Sequence, residues 1–171
     1  MRDPDKSYYQ LVAFPGEKPT PGQVIYGDAA TQNAGWLPQV ALKRRFTVEG
    51  IDEQSLINKV TQFAAQNEPI VVSFGEAMRP EHMPVDVIEI VNKAEVTAFH
   101  KDFLAFMGDD IESRYSDREG DHFYPHMTIE WNGARVVSVE DWIGKEIMLT
   151  ISGWCEMICQ LMSHTPSSAS N

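Results

Sequence analysis

At 171 residues, with 43% apolar and 10% aromatic side chains, the chain is long enough for one domain with a substantial core. A formal net charge of −11 opposes binding to long nucleic acid, which rests on neutralising many phosphates, but it tolerates a nucleotide-sized ligand. No apolar run reaches the roughly 18 to 20 residues of a membrane span, and Met1-Arg2-Asp3-Pro4-Asp5-Lys6 opens no signal-peptide stretch, so no membrane attachment and a cytoplasmic location are expected.

Residues 8 to 14, Tyr-Tyr-Gln-Leu-Val-Ala-Phe, read as a first strand closed by Pro15-Gly16. The Pro-, Gly- and small-residue-rich stretch 15 to 36 reads as a loop, and 39 to 46 as a second strand. Asp52 caps a helix to about Gln66, with Leu56, Ile57, Val60, Phe63 and Ala64 at helical spacing. Pro69 opens the strand Ile70 to Phe74, which Gly75 ends, and Val85 to Val91 form another. Asn92 caps a helix from Lys93 to about Met107, stopped by Gly108, whose buried side is Ala94, Phe99, Phe103, Leu104 and Phe106.

A charged loop, 109 to 121, leads into the strand 125 to 131. Asn132-Gly133 is a turn signal, and 145 to 153 with 154 to 162 read as a closing pair of strands. Cys155 and Cys159 would share one strand face about 13 Å apart, too far to bridge, and they lack the further ligands of a zinc site. No metal or other cofactor is expected. The small polar tail 163 to 171 reads as disordered, and no composition shift divides 1 to 162 into separate domains. The order of elements gives an α+β domain built as two related lobes.

Each lobe carries one copy of a look-alike segment. Aligned by their prolines, Leu37-Pro38-Gln39-Val40-Ala41-Leu42-Lys43 and Tyr124-Pro125-His126-Met127-Thr128-Ile129-Glu130 place Gln39 where His126 falls and Ala41 where Thr128 falls. Strand alternation puts Gln39, Ala41, Lys43 and Arg45 on one face, and His126, Thr128 and Glu130 on one face of the other segment. His126 and Thr128, about 7 Å apart, are near enough to meet two oxygens of one phosphate. The imidazole can exchange a proton near neutral pH, and the hydroxyl can donate to an anionic oxygen. Taken alone, His-x-Thr is also the pattern of an edge histidine beside a β-favouring threonine.

With the matched segment included, the chain resembles the 2H phosphoesterase superfamily, the two-histidine fold of LigT-like 2',5' RNA ligases and cyclic nucleotide phosphodiesterases. Pro38 to Phe46 is similar to its first motif with histidine and threonine replaced, and Pro125 to Ile129 to its second; the resemblance spans roughly 8 to 160. It implies antiparallel sheets with helices outside, two motif strands facing each other across a central cleft, and metal-free acid and base catalysis on a 2',3'-cyclic phosphate or 2',5' linkage.

Carried over by position, His126 is a proton donor or acceptor and Thr128 a phosphate ligand. Gln39 and Ala41 do not inherit the first motif's roles: a glutamine amide has no proton to exchange near neutrality. The expected function is therefore binding, or slow processing, of a cyclic or 2',5'-linked nucleotide phosphate. Gln39, Lys43 and Arg45 remain as ligand-binding residues, with Tyr124 and Trp36 as stacking groups beside the motifs. Lys43 and Glu130 are placed to pair across the cleft. His100 reads as a helix-surface residue, and Arg114 and Arg118 as partners of neighbouring acids. The alternative is a non-enzymatic interaction module whose acidic surface meets a partner protein.

Overall fold

A computed structural model describes residues 9–15, 38–131, 134–135 and 137–149. Seven strands form one open antiparallel sheet in the order β1-β2-β6-β4-β3-β9, with β5 also paired to β2. They are β1 (Tyr9–Ala13), β2 (Val40–Val48), β3 (Ile70–Met78), β4 (Val87–Ile90), β5 (Ile111–Ser113), β6 (His126–Thr128) and β9 (Glu146–Leu149). A separate ribbon pairs β7 (Glu130–Trp131) with β8 (Ala134–Arg135). The helices are α1 (Glu53–Gln66) and α2 (Lys93–Met107).

Both helices cover one face of the sheet. Leu11, Val40, Leu42, Met127, Ile88, Ile90, Val72 and Phe74 are buried along that face in a single cluster with Leu56, Val60 and Phe63 of α1 and Val96, Phe99 and Phe103 of α2. The helix interface is aromatic: Phe63 meets Phe99 at 5.2 Å and Phe103 at 5.3 Å edge-on, and Phe103 reaches Phe46 of β2 at 6.4 Å. Edge-to-face geometry suits rings whose faces are negative and edges positive. Among the described residues no helix is long and apolar enough to cross a membrane.

Asp52 caps α1 as its sequence position suggests, its carboxylate accepting from Ser55 N at 2.7 Å. Asn92 acts differently. Its side chain makes no cap bond to α2; it accepts from Ser73 N at 3.0 Å and donates to Val71 O at 2.6 Å, fastening α2's start to β3. On the helices Ile57 and Ala94 are exposed rather than buried, while Val96, His100 and Met107 complete α2's inner side.

β3 runs through Gly75 instead of ending there. The register slips between Phe74 and Ala77, and a Cβ at Gly75 would stand 3.0 Å from Val91 Cγ2, so the glycine admits a bulge rather than a stop. The stretch expected as a charged loop holds β5, which extends β2's pairing through Phe46↔Ser113 and Val48↔Ile111. The strand expected over 125 to 131 breaks at Ile129, whose N–H donates to Asp86 O at 2.9 Å, and Glu130 turns into the separate ribbon. Trp36, the Asn132-Gly133 turn, both cysteines, the strands expected beyond 149 and the tail 163 to 171 lie outside the described residues.

Candidate functional site

The two look-alike segments are hydrogen-bonded neighbours. β2 and β6 run antiparallel with Val40 opposite Met127, side by side in one sheet rather than facing each other from separate sheets. An antiparallel pair has a local two-fold axis normal to the sheet. The axis through Val40 and Met127 carries Pro38 onto Pro125, Gln39 onto His126 and Ala41 onto Thr128, so the proline alignment is the symmetry of the strand pair. The same register sets Thr128 beside Gln39 and His126 beside Ala41, on the face turned from the helices, at cross-strand spacings of about 5 Å.

An open pocket of about 480 Å³ lies over this face, lined by Gln39, Ala41, His126 and Thr128. Gln10 of β1 and the run Met83-Pro84-Val85 before β4 add to the lining. So do Arg44, Arg45, Arg114 and Arg118, with Tyr115 between the last two. Four of the chain's seven arginines thus line one pocket, and no described Asp or Glu does. In a chain of net charge −11 the formal charges among these lining residues are all positive, while Asp117 and Asp121 line the adjoining pocket that Arg44 and Arg118 also reach.

His126 is 9% exposed, and its Nδ1–H donates to Tyr124 O at 2.8 Å. That bond fixes the tautomer and leaves a lone pair on Nε2. Burial lowers its pKa to about 4, opposed by the bond to Tyr124 and reinforced by the nearby positive charge of Arg44 and by His82. At neutral pH the ring is an uncharged acceptor. Tyr124 lines an adjoining pocket of about 420 Å³ with His82, His122 and Phe123, and the two pockets share Arg44, Met83 and Arg118. Its ring lies 5.2 Å from that of His82 and 5.9 Å from that of His126, with Lys93 Nζ 4.9 Å from its centroid.

Lys43 is not in the pocket. Against β1, β2 carries two extra residues: Ala13↔Val40 and Val12↔Ala41 are followed by Leu11↔Lys43 and then Tyr9↔Phe46. Each bulge breaks simple alternation. Lys43 is thereby wholly buried, with Nζ donating to Glu119 Oε1 at 2.8 Å and Arg44 O at 3.0 Å, while Arg44 joins Arg45 on the pocket side. The pairing expected with Glu130 is replaced by this one.

Glu119 also lies 2.8 Å from His100 Nε2, and His100 Nδ1 lies 2.8 Å from Leu42 O. His100 is therefore no surface residue: it is fully buried and stacked on Phe123 at 4.0 Å, with Gly120 N 3.3 Å from its Nε2. Burial presses the Glu119 carboxyl upward, but the hydrogen bonds and charges of His100 and Lys43 outweigh it and hold the carboxyl below the ordinary glutamate value. Burial lowers the Lys43 pKa against the pull of Glu119. This cluster anchors the turns from 116 to 122 that carry Arg118.

No family model, curated protein or solved structure matches the chain. The chemistry of the site rests on its own geometry. It brings Gln39, Arg45, His126 and Thr128 together, sets Tyr124 next door, and leaves Lys43 out. Sequence reasoning missed Gln10, Arg44, Arg114, Tyr115 and Arg118 as lining groups. The spacing Arg114-x-x-x-Arg118 was visible, but the neighbouring acids masked it: Glu119 turns inward, and Asp117 stands 3.8 Å from Arg118 Nε at the surface. Among the described residues no group of three or more His, Cys, Asp or Glu is placed to hold a metal ion. The arrangement offers an anion guanidinium forks, a hydroxyl, an amide and one neutral imidazole base.

Proposed function

We propose that this is a 2H phosphoesterase-like protein with an impaired catalytic site, which binds, or slowly processes, a cyclic or 2',5'-linked nucleotide phosphate. The observation that carries this reading is the joint lining of one pocket by His126, Thr128 and four arginines, with no described carboxylate among them. The local two-fold of β2 and β6 supports the two-lobed fold of that family: it sets β1 beyond one motif strand and β4 and β3 beyond the other.

In opening a cyclic phosphodiester, a base takes a proton from water as its oxygen attacks phosphorus, and the departing ribose oxygen acquires a proton. His126 Nε2 fits the first task. The second falls, by symmetry, to position 39, where the glutamine amide cannot deliver a proton. Loss of one positioned acid or base costs about 10²- to 10⁴-fold. A base whose pKa is about 4 is also weak at pH 7 until a bound anion raises it. Binding with little turnover follows.

The test is a panel of 2',3'-cyclic nucleotides and 2',5'-linked dinucleotides, scored for affinity and hydrolysis. The expected result is saturable binding, slow hydrolysis that His126→Ala removes, and a rise of about 10²-fold or more in the double variant Gln39→His, Ala41→Thr. Absence of binding, or hydrolysis indifferent to His126→Ala, refutes the proposal.

A further inference from the structure

Two contacts of the buried His100 ring make opposite demands on its Nε2 atom. Nδ1 lies 2.8 Å from Leu42 O, and because a carbonyl only accepts, Nδ1 carries a proton. Nε2 lies 2.8 Å from Glu119 Oε2, and these two atoms attract only with a proton between them. Nε2 also lies 3.3 Å from Gly120 N, whose N–H needs a lone pair on that same atom. Glu119 Oε2 is itself buried, and no other donor reaches it. Lys43 Nζ holds the other carboxylate oxygen, Oε1, at 2.8 Å, a contact that makes no demand on the ring.

With the proton present, Nε2–H donates to Oε2 and Gly120 N–H is left over. With it gone, two sets of lone pairs face each other at a ring without solvent exposure, where the low dielectric makes an unpaired polar atom costly. Gly120 N–H then takes the ring and Oε2 turns away. Gly120, at φ +58° with nothing within 4 Å of where a side chain would stand, gives the backbone room to follow. The charged groups of the site are Glu119 from the turn and Lys43 from β2, with Arg44 acting on Lys43 from the next position. Lys101 of α2 and Asp121 of the turn pair with each other at the surface, and Asp110, beyond the end of α2, pairs with Lys59 of α1. Phe63 of α1 and Phe74 of β3 meet α2 in the shared apolar core.

We propose that the His100 and Glu119 pair is a proton-operated latch on the wall shared by the two pockets: a proton at Nε2 holds Glu119, and its release to solvent hands the ring to Gly120. The residues that move adjoin that wall. Arg118, immediately before Glu119, lines both pockets. Phe123, stacked on the ring, precedes Tyr124, whose carbonyl accepts from His126 Nδ1. The latch therefore reaches the pocket from two sides, and it needs the ring and the turn but no ligand, so it stands apart from the function proposed above.

Nitrogen NMR of the ligand-free protein, followed from pH 5 to pH 9, tests it. The expected result is an Nδ1 that stays protonated and an Nε2 that loses its proton within the series. At the same midpoint the Gly120 amide proton moves downfield and the Arg118 amide shifts. Glu119→Gln removes the coupled step, because the amide carbonyl still accepts from Lys43 while its NH2 donates to a singly protonated ring, so the Gly120 and Arg118 shifts become flat across the series. The wild-type series decides the matter on its own if the variant does not fold. An Nε2 in one state throughout, Gly120 and Arg118 amides that do not follow the ring, or the same coupled step in Glu119→Gln overturns the latch and leaves the phosphodiester site standing.

Discussion

Burial of His126 ties the stability of the fold to pH in a way that one substitution isolates. The ring's pKa is lowered from 6.5 to about 4, so the unfolded chain holds more protons than the folded one between those values. The stability associated with the neutral ring is therefore fully present above pH 6.5 and is lost as pH falls through 4. The gap amounts to about 3 kcal/mol, of which about 2 kcal/mol is lost by pH 5. Other groups, Glu119 among them, titrate in the same acidic range, so the wild-type curve alone does not identify the source.

His126→Gln keeps a side-chain donor for Tyr124 O without a titrating ring, and the difference between the two proteins cancels what they share. Urea unfolding at pH 7, 6, 5 and 4 should show the wild type losing about 3 kcal/mol more than the variant across the series. Parallel stability curves between pH 7 and 4 would refute the argument that His126 is held neutral by its surroundings.

A bound anion should reverse the direction at the same residue. Saturating 2',3'-cyclic nucleotide is expected to raise the His126 pKa by about 1 to 3 pH units, read from its ring proton shifts in an NMR titration. Lys43→Met leaves Glu119 without the cation on one side, and a loss of about 3 to 5 kcal/mol is expected by denaturant unfolding. The double variant Lys43→Met, Glu119→Gln should lose less than the sum of the single changes, because the two sites act as one. Phe103→Ala empties a fully buried position against Phe63 and Phe46, with an expected cost of about 3 to 5 kcal/mol by the same assay.

Most elements were legible because their signals are local. Helical spacing marked Leu56, Val60 and Phe63, Asp52 announced the start of α1, and β-favouring runs marked β1 to β4. What escaped depends on partners distant in the chain. The short β5 exists because β2 offers an unpaired edge beyond Val40, and Asn92 turns from capping to fastening because β3 passes beside it. At the site, the proline alignment picked out Gln39, Ala41, His126 and Thr128, four positions that lie side by side on one face of the sheet. The cationic rim was hidden for two reasons: bulges shift the phase of β2, and Arg114 and Arg118 come from a segment whose own acids suggested local pairing. His100 was misplaced because nothing in a helix sequence says that a buried carboxylate, Glu119, will come to meet it.

The two extra residues of β2 have a consequence for how such a site can change over generations. Along an unbulged strand, Lys43 would share a face with Ala41 and Arg45, and Arg44 would lie among the phenylalanines. Substitution alters which charge a position carries, but only gaining or losing a residue in the stretch between Ala41 and Phe46 alters which side of the sheet receives it. A single deletion there removes one of the two bulges and resets which of the residues between Ala41 and Phe46 face the pocket. The number of residues in this strand, and not its composition alone, thus decides which side of the sheet each charge reaches.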